Sequence, residues 1–344
     1  MDFFYEIWGS VSKLANQVKI KGVSIAHPET KYDNQFFIDH FHALGLEAEG
    51  LMNHLGRKER YLVNPEKENT ITMASEAAVK ALDSTNTKAE ELDMIVFVSD
   101  TPEYTYPSNA LLLNRILGAK NAHIVYDMNA NCIGMLSAID QVNAFLKSRA
   151  DLQRALIIGS VYVSNIARKD DTVMYPNFAD GACAVVLEKT EEPIGLIASN
   201  YHTDASLADF VMYPAVGFSQ LFNENIPAAS KKLRFDPHDV SFFSDEWKKL
   251  ITAMLSRHNV QPAEIDHWIF SQFSRPEVEE TLQKLKVGID NYTFVGEKFG
   301  YTGVTSPIFA LHDALERKRI KDGDKVVFCS VAVGYSMSSL LYQF

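Results

Sequence analysis

Short apolar segments alternate with longer segments of helical periodicity along most of the chain. Some of the short segments are rich in β-branched residues and bounded by polar turns, a pattern that predicts buried strands. They cover residues 92–100, 122–128, 154–163 and 182–189. Apolar residues recur every three or four positions in two longer segments, which predicts helices at residues 73–84 and 133–148. Such alternation is typical of a layered α/β fold.

The same order of elements occurs twice in the chain. Residues 75–100 and 248–273 are both predicted to form a helix, a polar connection and a strand, with an acidic residue, an apolar residue and an aspartate just before the strand. The two aspartates, Asp93 and Asp266, lie 173 residues apart. A second pair of similar segments places Ser160 and Ser330 170 residues apart. A chance likeness between two α/β stretches is the alternative, but the nearly constant offset favours one duplicated fold.

Two related halves follow from this repeat, residues 18–190 and 191–344. If a pseudo-twofold axis relates them, corresponding loops meet near the axis. The loop at Cys132 then corresponds to the one at Tyr301, and the loop after the first repeated strand to the one at Ser271. We therefore expect Cys132, Ser271 and Tyr301 to be neighbours in one cleft.

Composition and charge narrow the class of protein. A net charge of -11 over 344 residues argues against general nucleic-acid binding, which needs a basic face. No apolar run approaches the roughly 20 residues that a membrane span requires. The first 17 residues lack the basic start of a secretory signal, and three cysteines make no disulfide framework. We expect a cytoplasmic protein.

The sequence carries no recognisable metal or nucleotide motif. None of the ten histidines stands at a spacing typical of a metal site, and no glycine-rich phosphate-binding loop occurs. We expect neither a metal nor a cofactor.

Cys132 lies between the predicted strand 122–128 and the predicted helix 133–148. Free backbone N–H groups and the helix dipole favour a thiolate there by about 0.3–1 kcal/mol, so we expect a thiol pKa lowered by roughly one unit. The same amides can stabilise the oxyanion of a tetrahedral intermediate. A small buried structural cysteine is the alternative. Cys183 and Cys329 lie inside apolar strand segments and are predicted to be core residues.

Several motifs, in order and spacing, resemble those of β-ketoacyl-acyl-carrier-protein synthase III, a condensing enzyme of the thiolase superfamily. The resemblance runs from about residue 19 to residue 344, and its motifs are "GRKERY", "TYPSNALLLNRILGAKNAHIVYDMNANCIGM", "ALIIGS", "FADGACAVVLE", "YHTDAS" and "KDGDKVVFCSVAVGYSMSSLLYQF". It implies a five-layer αβαβα fold of two pseudo-twofold-related halves, usually assembled as a homodimer. It also implies that Cys132 carries an acyl group for condensation with malonyl-acyl-carrier protein.

Further roles follow only from this resemblance. Tyr106 matches the aromatic residue that reaches the acyl pocket of the partner subunit. The backbone N–H groups of Cys132 and of the segment around Gly334 match the oxyanion hole.

The departures from the family pattern fall on the catalytic positions. Ser271, in "SQFS", stands where the family has histidine, and Tyr301, in "GYTGV", stands where it has asparagine. Loss of one such hydrogen-bond donor typically costs about 10²–10³ in rate. His202 is a possible substitute base, with His267 a second possibility.

The residues that stack the adenine of acyl-CoA are also replaced, by Gly50 and His54. An acyl carrier protein or another acyl thioester is therefore the expected donor.

These observations lead to one preferred function and two alternatives. We expect an acyltransferase that forms an acyl thioester on Cys132 and transfers the acyl group, in fatty-acid or secondary-metabolite biosynthesis. One alternative is a non-catalytic partner subunit of an active condensing enzyme, in a heterodimer instead of a homodimer. The other is standard fatty-acid initiation by decarboxylative condensation.

Overall fold

The computed structural model describes residues 17–344, so nearly all of the segment judged not to be a signal peptide lies outside the described residues. The strands are β1 (Gln17–Ala26), β2 (Lys31–Asp33), β3 (Glu59–Tyr61), β4 (Met94–Val98), β5 (Ile124–Met128), β6 (Arg154–Val161), β7 (Gly181–Thr190), β8 (Gly195–Thr203), β9 (Val211–Met212), β10 (Arg234–Phe235), β11 (His267–Phe270), β12 (Tyr292–Thr293), β13 (Lys325–Ala332) and β14 (Ser336–Gln343).

The helices are α1 (Asn34–Ala43), α2 (Glu49–His54), α3 (Thr70–Ser84), α4 (Asn109–Leu117), α5 (Gly134–Ser148), α6 (Val163–Ile166), α7 (Met174–Asn177), α8 (Phe243–Arg257), α9 (Arg275–Leu285), α10 (Gly296–Phe299) and α11 (Ser306–Glu316). Within residues 17–344, no helix combines the length and the apolar character that crossing a membrane requires.

Two five-stranded sheets with equivalent topology form the framework. The first has the order β1-β7-β6-β4-β5 and the second, read from its other edge, β8-β14-β13-β11-β12. In each sheet the first three strands run antiparallel to one another and the last three run parallel. Matching order and direction in both sheets confirm the predicted duplication of one fold. The predicted boundary between residues 190 and 191 stays a prediction.

Helices cover both faces of each sheet and create five layers. Helices α3 and α4 pack on the outer face of the first sheet, and α8 and α9 pack on that of the second. Helices α5 and α11 lie between the sheets, in an apolar core to which both sheets contribute. The predicted αβαβα fold is therefore confirmed.

The repeated aspartates hold equivalent strands in the two halves. Asp93 donates its backbone N–H to the Arg154 carbonyl (3.0 Å), and its Oδ2 accepts the N–H of Arg154 (3.0 Å). Asp266 makes the same two bonds with Lys325, at 2.9 and 2.8 Å. Each aspartate thus fixes the register at the start of two neighbouring parallel strands, which explains why the residue type recurs.

Beside Cys132, Gly134 lets helix α5 pack closely against side chains of both halves. A Cβ atom on this residue would lie 2.6 Å from Val98 Cγ1 and 2.9 Å from Val304 Cγ2. Val98 ends β4 in the first half, and Val304 precedes α11 in the second. Only glycine lets the first turn of α5 fit between these two side chains.

Replacing Gly134 with alanine is expected to destabilise the protein by about 1–3 kcal/mol, because the added methyl group must displace packed side chains on both sides. Gly50→Ala is the matched control, since a Cβ there meets nothing within 4 Å and the residue lies in helix α2. Urea unfolding of both variants measures the difference. Equal stability of Gly134→Ala and the wild type would contradict the close packing.

Candidate functional site

Cys132 lies in a single turn of 3-10 helix, Asn131–Ile133, between β5 and α5. The turn begins at Asn131, whose φ of +48° is unusual for a residue other than glycine. Ser330 Oγ, on β13 of the other half, donates to the Cys132 carbonyl oxygen at 3.0 Å. The residue is 7% exposed, and that exposure faces a cavity. The nucleophile candidate is therefore held by both halves.

Ser271 and Tyr301 lie next to Cys132, as expected from the repeat. Ser271 Oγ donates to the Tyr301 hydroxyl oxygen at 3.1 Å, and that hydroxyl is hydrogen-bonded to the Cys132 sulfur. The two hydroxyl groups and the thiol thus form one chain of hydrogen bonds. Both side chains belong to the second half and Cys132 to the first.

Backbone hydrogen bonds hold Ser271 and Tyr301 in place. Ser271 follows β11 and donates its N–H to the Cys329 carbonyl at 2.9 Å. Tyr301 donates its N–H to the Asn177 carbonyl and accepts from the Ala179 N–H, both at 3.0 Å. The rings of Phe178 and Phe273 contact the Tyr301 ring edge-on, with centroids 4.9 and 5.4 Å away. The tyrosyl hydroxyl therefore has little freedom to leave the thiol.

The expected lowering of the thiol pKa is wrong. Burial, followed by the negative charge of Asp100, raises the pKa of Cys132 to about 12. The hydrogen bond from Tyr301 and the backbone N–H groups of Cys132 and Val333 act in the opposite direction but do not offset the burial. The helix start supplies donors, yet desolvation is the larger effect here, so the resting side chain is a neutral thiol.

A cavity of about 190 Å³ opens from Cys132 toward the small β9–β10 hairpin. Its walls are mostly apolar and include Val163, Ile166, Met174, Leu233 and Phe235. Leu233 is fixed there because its N–H donates to the Ile166 carbonyl at 2.9 Å. An apolar chain attached to the sulfur fits this environment better than a polar one does.

Three further residues line this site, and the sequence marks them to different degrees. The backbone N–H of Val333 is directed at the Cys132 sulfur, whereas Gly334, the predicted contributor, lines the cavity one residue further on. His238 lines the cavity through a segment with no family motif. Asp100 also lines the cavity, and its negative charge raises the pKa of Cys132. The end of a strand at Val98 is the only sequence feature that points to Asp100.

The proposed substitute histidines lie elsewhere. His202 is exposed on β8, opposite Met337, and is not among the residues that line the cavity. His267 is buried on β11, where its Nε2 lies 2.9 Å from Thr293 Oγ1 and where burial lowers its pKa to about 4. The structure therefore brings neither histidine to Cys132.

Tyr106 lies on the loop before α4 with 92% of its surface exposed, so it takes no part in the cavity of its own chain. Cys183 and Cys329 are fully buried in β7 and β13. No group of three potential metal ligands occurs within residues 17–344.

Two models of one protein family match this chain, one around Cys132 and one over the C-terminal residues. The family model described as "3-Oxoacyl-[acyl-carrier-protein (ACP)] synthase III" matches residues 126–205, and the model of its C-terminal part matches residues 255–344. The first match contains Cys132, and the second contains Ser271, Tyr301 and Val333.

Similar full-length proteins are condensing enzymes of the same type. The β-ketoacyl-[acyl-carrier-protein] synthase III of Aquifex aeolicus is 26% identical over 330 residues, covering 95% of this chain and 99% of the relative. The enzyme of Clostridium perfringens is also 26% identical, covering 94% of this chain and 98% of the relative.

Solved structures share the fold. The Aquifex aeolicus synthase III structure superposes with a TM-score of 0.84 at 24% identity, covering 95% of this chain and all of that chain. The priming β-ketosynthase of the R1128 polyketide pathway gives 0.84 at 16% identity, covering 96% and 97%. Motifs, fold and full-length relatives agree, and the chain is similar to the β-ketoacyl-acyl-carrier-protein synthase III enzymes over about 95% of its length.

Proposed function

We propose that this protein is an acyltransferase that forms an acyl thioester on Cys132 and passes the acyl group to an alcohol or amine. The observation that carries the proposal is the placement of one thiol between convergent N–H and O–H donors on one side and an apolar cavity on the other. Such a site supports both the charge that develops on a thioester carbonyl and the chain attached to it.

In the first step, the Cys132 sulfur attacks the carbonyl carbon of the donor thioester. The N–H groups of Cys132 and Val333 are directed at the sulfur and so lie close to the oxygen that becomes negative in the tetrahedral intermediate. The intermediate collapses, the C–S bond to the donor breaks, and the donor thiol leaves with a proton. The acyl chain then occupies the apolar cavity.

Decarboxylative condensation is less favoured by the polar groups present. It requires donors aimed at the thioester oxygen of a malonyl group while an enolate forms. Ser271 donates to Tyr301, and Tyr301 donates to the sulfur, so both hydroxyl protons are already engaged. Attack by an alcohol or amine creates no enolate, so this second acyl transfer does not need those donors.

An acyl carrier protein is the proposed donor. The relatives from Aquifex aeolicus and Clostridium perfringens are named for this carrier. Gly50 on α2 offers no ring for an adenine, which argues against coenzyme A as the usual carrier. Three free thiols within the chain fit a reducing cytoplasm, the compartment that we propose.

We also propose that two copies associate through the β5 edge of the first sheet. This edge strand has no neighbour on one side within the described chain, and the adjoining surface exposes large apolar side chains. Tyr104, Tyr106, Leu111 and Ile116 lie on this surface, Tyr106 with 92% exposure. A second copy would cover them, and its Tyr106 would then approach the acyl cavity.

Replacing Leu111 with arginine is expected to shift the protein toward a monomer, because a charge must then be buried in the proposed contact. Sedimentation velocity measures the change. A Phe218→Arg variant is the control, because the Phe218 side chain is exposed in the connection between β9 and β10. Identical assembly of all three proteins would contradict the proposed interface.

Replacing Cys132 with alanine is expected to abolish acylation, since no other thiol reaches the cavity. Intact-protein mass spectrometry after incubation with hexanoyl-acyl-carrier protein and hexanoyl-CoA detects the adduct. Cys183→Ala is the control for a thiol that stays in the core. Labelling retained in Cys132→Ala would contradict the assignment. No adduct on the wild type from either donor would favour the non-catalytic partner subunit.

Replacing Tyr301 with phenylalanine is expected to slow alkylation of Cys132 by iodoacetamide about three- to tenfold at pH 8. The tyrosyl hydrogen bond lowers the thiol pKa, so its loss raises that pKa and leaves less thiolate. Tyr213→Phe, in the same cavity wall, is the control. Faster alkylation of Tyr301→Phe than of the wild type would show that the hydroxyl does not support the thiolate.

A further inference from the structure

Acid–base catalysis in this cavity requires a group that can accept a proton near neutral pH. Among the described residues that line the cavity, the titratable side chains are Asp100, Cys132, Tyr213, His238, Tyr301 and Tyr335. Burial raises the pKa of each of these tyrosines, and Ser271 is no base at neutral pH. Asp100 and His238 therefore remain as possible bases.

Asp100 is the one of the two whose charge acts on the reacting thiol. Its carboxylate raises the pKa of both Cys132 and Tyr301. His238 lies among Phe210, Phe235 and Tyr335, with its Nδ1 2.8 Å from the Asp236 carbonyl. The imidazole is not among the main causes that shift the pKa of Cys132 or of Tyr301.

The residues on each side of Asp100 anchor the loop that follows β4. Ser99 Oγ donates to the Ser160 carbonyl at 2.6 Å, and Thr101 Oγ1 accepts the Tyr162 N–H at 2.8 Å. Both neighbours are buried within the first half, whereas Asp100 itself borders the cavity. The backbone on both sides of Asp100 is thus held in place by bonds of its neighbours.

Asp100 Oδ1 is buried and has no hydrogen-bond partner within residues 17–344. A second buried carboxyl, Asp180, makes the hydrogen bonds expected of a structural residue. Its oxygens accept the N–H groups of Val63 (2.8 Å) and Ser164 (2.9 Å) and the Ser164 hydroxyl. Burial raises the pKa of both carboxyls to about 6, but of the two only Asp100 has an oxygen without a hydrogen-bond partner.

We propose that Asp100 is the catalytic base of this site, which carries the proton between Cys132 and the molecule that gives or receives the acyl group. This inference rests on the proposed acyl transfer and deepens it. It names the acceptor class as molecules whose nucleophile bears a proton, namely alcohols, amines and water. It also accounts for the absence of the family histidine from this cavity.

One carboxylate accounts for every proton that moves during acylation and transfer. During acylation, the Cys132 S–H proton passes to Asp100 as the new C–S bond forms, and the departing donor thiolate takes it. During transfer, Asp100 takes the proton of the attacking O–H or N–H group as the C–O or C–N bond forms. Collapse of the intermediate breaks the C–S bond, and the Cys132 thiolate recovers that proton. The thiol and the carboxylate are then both restored.

The test uses p-nitrophenyl hexanoate, which acylates a reactive thiol whatever the natural donor is. The wild type is expected to give a burst of p-nitrophenol that Cys132→Ala lacks, followed by slow release of hexanoate to water or added ethanol. Asp100→Asn removes the base and keeps the shape of the side chain. Hexanoate release from this variant is expected to be about 10²-fold or more slower than from the wild type. Asp100→Glu, which keeps a carboxylate, is expected to recover part of the rate.

Alkylation of Cys132 is a second readout, which is expected to change in the opposite direction to hexanoate release. Its pH dependence separates the effect of the charge from a loss of structure, because an unfolded variant would react faster at every pH. Removing the Asp100 charge lowers the Cys132 pKa, so iodoacetamide is expected to alkylate Asp100→Asn about threefold faster or more at pH 8. Below pH 6 the wild-type carboxyl is protonated, and the two rates are expected to converge. Glu103→Gln, on the same loop outside the cavity, is the matched control.

The wild type alone also tests the inference. A base must be ionised, so hexanoate release is expected to fall as the pH drops through about 6 and to level off above it. Release from Asp100→Asn at the wild-type rate, with the same pH profile, would overturn the role of Asp100 and point to another cavity group such as His238. Absence of any Cys132-dependent burst would instead overturn the proposed acyl transfer, and the proton relay with it.

Discussion

The site depends on the contact between the two halves across the central helical layer. Ser330 on β13 holds the carbonyl of Cys132, and Gly134 fits between Val98 and Val304 with no room for a methyl group. Each half alone would present only part of the cluster, since Cys132 and Asp100 come from the first and Ser271, Tyr301 and Val333 from the second. Close packing of a duplicated fold is thus what assembles the chemistry.

That packing also determines the electrostatics. A thiol at a helix start is ordinarily favoured as a thiolate, but here the surrounding core excludes water, and desolvation exceeds the effect of the nearby donors. The carboxyl of Asp100 experiences the same environment, which raises its pKa to about 6. Thiol and carboxyl therefore share one negative charge more readily than they carry two. In the proposed acyl transfer, such a coupled pair would make proton transfer a part of each acyl exchange.

Sequence reasoning could predict the parts of the structure that repeat. The offset between Asp93 and Asp266 identified the duplication because both residues pair strands through the same two backbone bonds. The same repeat placed Ser271 and Tyr301 beside Cys132. It placed Val333 only within the segment around Gly334 and Asp100 only after a predicted strand, and no residue type or spacing pointed to His238. It also gave the wrong direction for the Cys132 pKa, since burial depends on the packed structure and not on local sequence.

The substitutions at Ser271 and Tyr301 change which reaction the remaining groups can serve. Imidazole and amide donors in the family stabilise an enolate, whereas two hydroxyls bound to each other and to the thiol stabilise the sulfur. A site that supports the sulfur and supplies a separate carboxylate is suited to forming and breaking a thioester. In the proposed transfer, the acceptor must carry a removable proton on oxygen or nitrogen. It does not need a carboxyl group that can be lost as carbon dioxide. The fold is that of β-ketoacyl-acyl-carrier-protein synthase III structures, and in the function that we propose the polar groups around Cys132 serve acyl transfer instead of condensation.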